Sequence, residues 1–105
     1  MAWVFLLTAG LLEVVWAFTM KLSEGFTRVW PAVLTIVTML ASFGLLSMSM
    51  KTLPLGTAYA VWTGIGTVGA FVVGVVVLGE PLTMGRVVAA ALILAGLIVA
   101  KLSAA

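Results

Sequence analysis

Leu6-Leu7-Thr8-Ala9-Gly10-Leu11-Leu12-Glu13-Val14-Val15-Trp16-Ala17-Phe18 is apolar on both sides of a single carboxylate. In water, Glu13 would be an oddity in a hydrophobic helix. In a bilayer it marks a functional site, because an acid near the membrane centre costs about 2.5–3.5 kcal/mol on insertion scales. Such a residue faces a cavity, a partner or a ligand rather than lipid. The stretch therefore reads as a transmembrane helix with a purpose at its middle.

The composition agrees. Of 105 residues, 65% are hydrophobic and 8% charged, and the mean hydropathy is +1.39. A soluble domain has roughly 45–50% apolar and 25% charged residues. The pI near 9.5 rests on five scattered basic residues, so no nucleic-acid partner is implied; those surfaces need clustered Lys and Arg. The chain has neither Cys nor His. Disulfides, thiolate metal sites and the commonest proton shuttle are thereby excluded. No metal, cofactor or enzymatic step enters the reading.

The N-terminus has no basic region before its apolar run, and Glu13 interrupts that run. It reads as a retained helix and not as a signal peptide. Residues 1–105 form a single transmembrane domain of four helices, at about 3–20, 30–50, 57–78 and 84–100. The first, of about 18 residues, is roughly 27 Å long, enough for a thin bilayer. Lys21 can snorkel to the interface. Trp30 and Pro31 open the second helix, with the indole at headgroup depth. Lys51–Gly56 and Gly79–Leu82 are turns. The fold class is an all-α membrane protein with tight loops and both termini on one side. With so little chain outside the membrane, function must sit within it.

Orientation is nearly undetermined. Lys51 and Lys101 lie on the side of the termini, and Lys21, Arg28 and Arg86 on the other. The Lys/Arg bias that sets topology is almost absent. Either the start of the chain or a partner sets orientation, or the protein inserts both ways round. Two oppositely oriented copies would be related by a two-fold axis in the membrane plane, the symmetry that inverted repeats give larger transporters.

Glu13 is the one acid within a span; Glu24 and Glu80 are in turns. Gly10, one turn before it, leaves room for a partner or substrate. Trp16, one turn after, is too deep for an interfacial belt and sets an indole beside the carboxylate. Ser42 lies at a similar depth in the second helix. Most other hydroxyls there bond their own backbone or glue helices. In the third helix Tyr59, Trp62, Thr63, Gly66, Gly69 and Ala70 recur at spacings of three and four, which puts them on one stripe. Gly64-Ile65-Gly66-Thr67-Val68-Gly69 matches a dinucleotide fingerprint literally, but lacks its strand and its downstream acid. Gly64, Gly66 and Gly69 are better read as points of close packing or bending, and a bend there would be a hinge. Ala89 and Gly96 share a face of the fourth helix and are the expected dimer contact.

The whole chain resembles the small multidrug resistance family. The likeness rests on Glu13, on Lys21-Leu-Ser-Glu-Gly-Phe-Thr-Arg-Val-Trp-Pro31, and on Leu53-Pro-Leu-Gly-Thr-Ala-Tyr-Ala-Val-Trp-Thr-Gly-Ile-Gly66. The resemblance implies a proton-coupled antiporter working as an antiparallel, dual-topology homodimer in the cytoplasmic membrane of a bacterium or archaeon. Glu13 would be the shared proton and substrate site. Gly10, Trp16, Ser42, Tyr59 and the Trp62-to-Gly66 run are similar to the guanidinium-exporting subtype, with Thr63 in the lining. Ala89 departs from the glycine common in relatives. The alternative within the family is a broad exporter of quaternary ammonium compounds. A rotor-ring hairpin also has one intramembrane acid, but two helices rather than four.

The chemistry favours the first of these. Guanidinium is planar and donor-only, and a carboxylate accepts two of its N–H groups side by side. Indole nitrogens are donors too, so Trp16 and Trp62 can brace Glu13 or offer ring faces to a cation. Ser42 can do either. Dual insertion has a direct experimental signature. A single cysteine introduced into the Ser23–Arg28 loop should react with a membrane-impermeant thiol reagent from both sides of the membrane. Labelling from one side alone excludes dual insertion.

Overall fold

The computed structural model describes residues 1–103. Four helices follow in order: α1 Ala2–Leu22, α2 Val29–Ser49, α3 Leu55–Val76 and α4 Met84–Leu102. All four are long and apolar enough to cross a membrane. Helical ends follow local chemistry. Pro31 falls in the first turn of α2, where its missing N–H has no intrahelical partner to lose. Thr83 caps α4 by accepting the Arg86 N–H at 3.2 Å. Ser23 closes α1, with its hydroxyl donating to the Met20 carbonyl at 2.7 Å and accepting the Phe26 N–H at 3.0 Å.

The helices lie side by side as α2, α1, α3, α4, with the backbones of α2 and α3 apart along most of their length. The molecule measures 42 × 34 × 16 Å. Its thin dimension is little more than one helix, whose diameter with side chains is about 10–12 Å. It is a slab, not a closed bundle, so no side of it encloses a path for a solute. Glu13 sits on α1, one of the two inner helices of the slab.

Each contact is made by small or hydroxyl residues, as expected where lipid removes the hydrophobic drive for helix association. Between α1 and α2, Thr19 and Thr35 share a hydrogen bond at 2.7 Å, and Ser42 Oγ donates to the Ala9 carbonyl at 2.7 Å. Thr35, Ser42 and Ser49 recur every seven residues on α2, and all are fully buried. Between α1 and α3, Ile65 fills the space over Gly10 and Val14 the space over Gly69. Between α3 and α4, Leu97 fills the space over Gly64. Helix α4 is the least attached: none of its described residues is buried. Besides α3 it is tied by the Lys101 ammonium, 5.4 Å from the centre of the Trp3 ring.

Candidate functional site

The α1–α3 contact brings the Glu13 side chain onto α3 at Gly66. A Cβ at Gly66 would collide with the carboxylate, so the bare backbone of a glycine is what lets the acid lie there. Gly66 is itself buried. Glu13 Oε1 is buried and has no hydrogen-bond partner among the described residues, and the same holds for Trp16 Nε1. Trp16 follows Glu13 by three residues and so shares its face of α1. Among the described residues, one unpartnered acceptor and one unpartnered donor, both buried, thus lie three residues apart on α1. Buried polar atoms are normally paired, and leaving one unpaired costs about 1–3 kcal/mol. The arrangement suits an incoming group that brings its own protons.

Ser42 has a different task from the one its depth suggested. Its hydroxyl proton goes to the Ala9 carbonyl, and its oxygen accepts from Trp62 Nε1 at 2.9 Å. Trp62 is therefore anchored through Ser42 to α1, not to the Glu13 carboxylate. Ala9 is four residues before Glu13, so its carbonyl is the one that accepts the Glu13 amide within the helix. The relay Trp62–Ser42–Ala9 thus joins three helices one turn from the acid. It fixes the Trp62 ring while leaving the Glu13 oxygens free.

The aromatic rings form a row beside the acid. Trp16 meets Phe43 edge-on with centroids 6.4 Å apart, Phe43 meets Trp62 at 5.6 Å, and Trp62 meets Tyr59 at 5.7 Å. Tyr59 and Phe43 remain exposed on one face of the slab. Phe43 links the two tryptophans and is absent from the sequence-derived set. Its only signal was its place beside Ser42.

Of the residues expected at the site, the structure gathers Gly10, Glu13, Trp16, Ser42, Tyr59 and Trp62 where α1, α2 and α3 meet. Thr63 is not among them. Its hydroxyl donates to the Tyr59 carbonyl at 2.9 Å, and it lines the groove between α3 and α4. The reason is angular: Thr63 follows Trp62 by one residue, which turns it about 100° around the helix. Gly64, Gly66 and Gly69, expected as a hinge, lie in a continuous helix and each receives a neighbour's side chain. Ala89 is half-buried, and a Cβ at Gly96 would meet nothing within 4 Å.

Comparison with known proteins supplies a frame for this geometry. The family model described as Small Multidrug Resistance protein matches residues 1–93. A relative from Salmonella typhimurium strain LT2, named "Guanidinium exporter", is 55% identical over 104 residues, covering 99% of each chain. Proteins of the same name from Yersinia pseudotuberculosis and Klebsiella oxytoca are each 54% identical over 103 residues, covering 98% of this chain and 99% and 98% of theirs.

The contact between Glu13 and Gly66 can be tested without a substrate. Gly66→Ala should lower thermal stability, by about the 1–3 kcal/mol of an overpacked interior. In a Glu13→Ala background the same change should cost much less, since the colliding carboxylate is gone. Equal costs in both backgrounds would show that Gly66 is not the seat of the acid.

Proposed function

Because the chain belongs to the Small Multidrug Resistance family, we propose that it exports guanidinium and small guanidinyl cations in exchange for protons. It is a multi-pass protein of the inner membrane. The observation that carries the reading is the Glu13 carboxylate, with a buried oxygen that no group among the described residues satisfies. The names of relatives 54–55% identical to it support the choice of cation.

The mechanism follows from what neutralises that acid. An unpaired carboxylate is disfavoured in a low-dielectric interior. A proton removes its charge, and a cation balances it. Guanidinium fits two parallel N–H groups against the two oxygens. Trp16 Nε1, free and on the same face, can donate to a carboxylate oxygen and hold the group in orientation. The Trp62 ring, fixed by Ser42, and the exposed Tyr59 ring offer faces to a planar cation. Proton and cation then compete for one carboxylate. If passage between the two facing states requires one of them bound, the proton gradient drives cation efflux. No covalent bond is made or broken, so the protein acts as a transporter rather than an enzyme.

A slab 16 Å thick cannot surround a cation. The reading therefore includes a second copy in the opposite orientation, which the near-balance of Lys and Arg permits. The two Glu13 side chains would face one another across a shared site, closed by the exposed rings of Tyr59 and Phe43. The open face of α4, with Ala89 and Gly96, would form the dimer contact.

In liposomes holding the purified protein, an outward-directed proton gradient should drive guanidinium uptake. Glu13→Gln should reduce it to the rate of empty liposomes, and uptake surviving that change would sink the mechanism. Large aromatic quaternary ammonium cations should compete poorly. Tight competition by them would instead assign the protein to the broad multidrug branch of the family.

A further inference from the structure

Helix α3 accommodates a second carboxylate on a glycine. Gly79 adopts a left-handed φ of +70°, which folds the chain back after α3. The Glu80 N–H then donates to the Gly74 carbonyl at 2.9 Å. The Glu80 carboxylate lies over Gly74, where a Cβ would collide with it. Gly66 and Gly74 are eight residues apart, about 12 Å along the axis. Two acids, one from α1 and one from the third turn, thus rest on one helix about two turns apart.

A cleft between α1 and α3 runs from one towards the other. It has a volume of about 150 Å³. Lys21 and Glu80 line its outer end, and Val14 and Ala70 its inner part. Val14 is the neighbour of Glu13, and Ala70 is one turn beyond Gly66.

Glu80 already has a cation, and its identity is informative. Arg86 Nη1 is 3.9 Å from Glu80 Oε1, with the two side chains 42% and 38% exposed. One nitrogen at that distance is far from the bidentate fork that makes such pairs strong. A pair this exposed is worth little. The head group of Arg86 is itself a guanidinium. The mouth of the cleft therefore displays a carboxylate loosely holding the same chemical group that the protein is read as exporting.

We propose that Glu80 is an outer docking station for guanidinium-type cations, occupied in the idle protein by Arg86 and vacated when a free cation displaces it. The inference rests on the guanidinium reading above. The looseness of the pair makes displacement of Arg86 by a free cation easy. Lys21, on the same cleft, repels a cation there and keeps its stay short. In an antiparallel dimer one such mouth would open on each side of the membrane.

The test is the concentration dependence of guanidinium uptake in liposomes at low ionic strength, for wild type, Glu80→Gln and Arg86→Gln. Glu80→Gln should raise KM by about threefold to fivefold, the size of a partly exposed ion pair, with most of the maximal rate kept. Arg86→Gln should lower KM, because it removes the internal competitor. Opposite shifts are the signature. A pair that only staples the turn predicts reduced thermal stability in both variants with KM unchanged, or shifts of the same sign, and either result overturns the proposal. Should Glu80→Gln not assemble, Gly74→Ala displaces the carboxylate without removing its charge and should also raise KM; an unchanged KM overturns the proposal. If wild type carries guanidinium and the KM values coincide, the docking station alone fails. If wild type carries none, the functional reading fails with it.

Discussion

A carboxylate pressed against the bare backbone of a helix inside the membrane is the constraint on which the rest depends. Glu13 can lie against α3 because Gly66 has no side chain. That contact puts the acid between helices instead of in lipid, where its cost would be greatest. It also leaves one oxygen buried without a partner among the described residues. Among the described residues the protein therefore carries an unsatisfied acceptor at mid-span as a standing feature.

The surrounding polar groups are arranged to spare that acceptor. Ser42 satisfies Trp62 and in turn is satisfied by Ala9. Thr19 and Thr35 satisfy each other across the same helix pair. Hydroxyls thus bind α1, α2 and α3 together without drawing on the carboxylate. A rigid frame and a free acid are separate requirements, and separate residues meet them. Beyond the frame, α4 rests on α3 through Leu97 and on Trp3 through Lys101. Its open face and the thinness of the slab are the two observations on which the proposed second copy rests.

The glycines of α3 show how one residue type can be read in two ways. A run of glycines in a membrane helix permits either bending or close approach. Here the helix is continuous, and Gly64, Gly66 and Gly69 receive Leu97, Glu13 and Val14. Gly74 receives Glu80 in the same manner. The pattern that suggested a hinge is, in this conformation, a row of seats. Two of those seats hold acids, and the cleft between α1 and α3 runs along the stretch between them.

The linear chain by itself determined the solvent, the number of spans and the one acid that lies within a span. Hydropathy and helix length fix these, because a bilayer allows few backbone solutions and penalises each charge it encloses. It also set Trp16 and Ser42 at a depth similar to Glu13, and Tyr59 and Trp62 on one stripe of α3, since depth and face follow directly from the rise and turn per residue. Partnership within a layer depends on how helices rotate against one another, and only the tertiary structure decided that. Ser42 and Glu13 share a depth but not a bond. Thr63 neighbours Trp62 in sequence yet faces another groove. Phe43 enters the aromatic row through the angle of α2. Gly66 became the seat of Glu13 because α1 and α3 pack closely enough there to exclude any side chain. Those rotations are settled by packing across several helices at once, and no single helix records them.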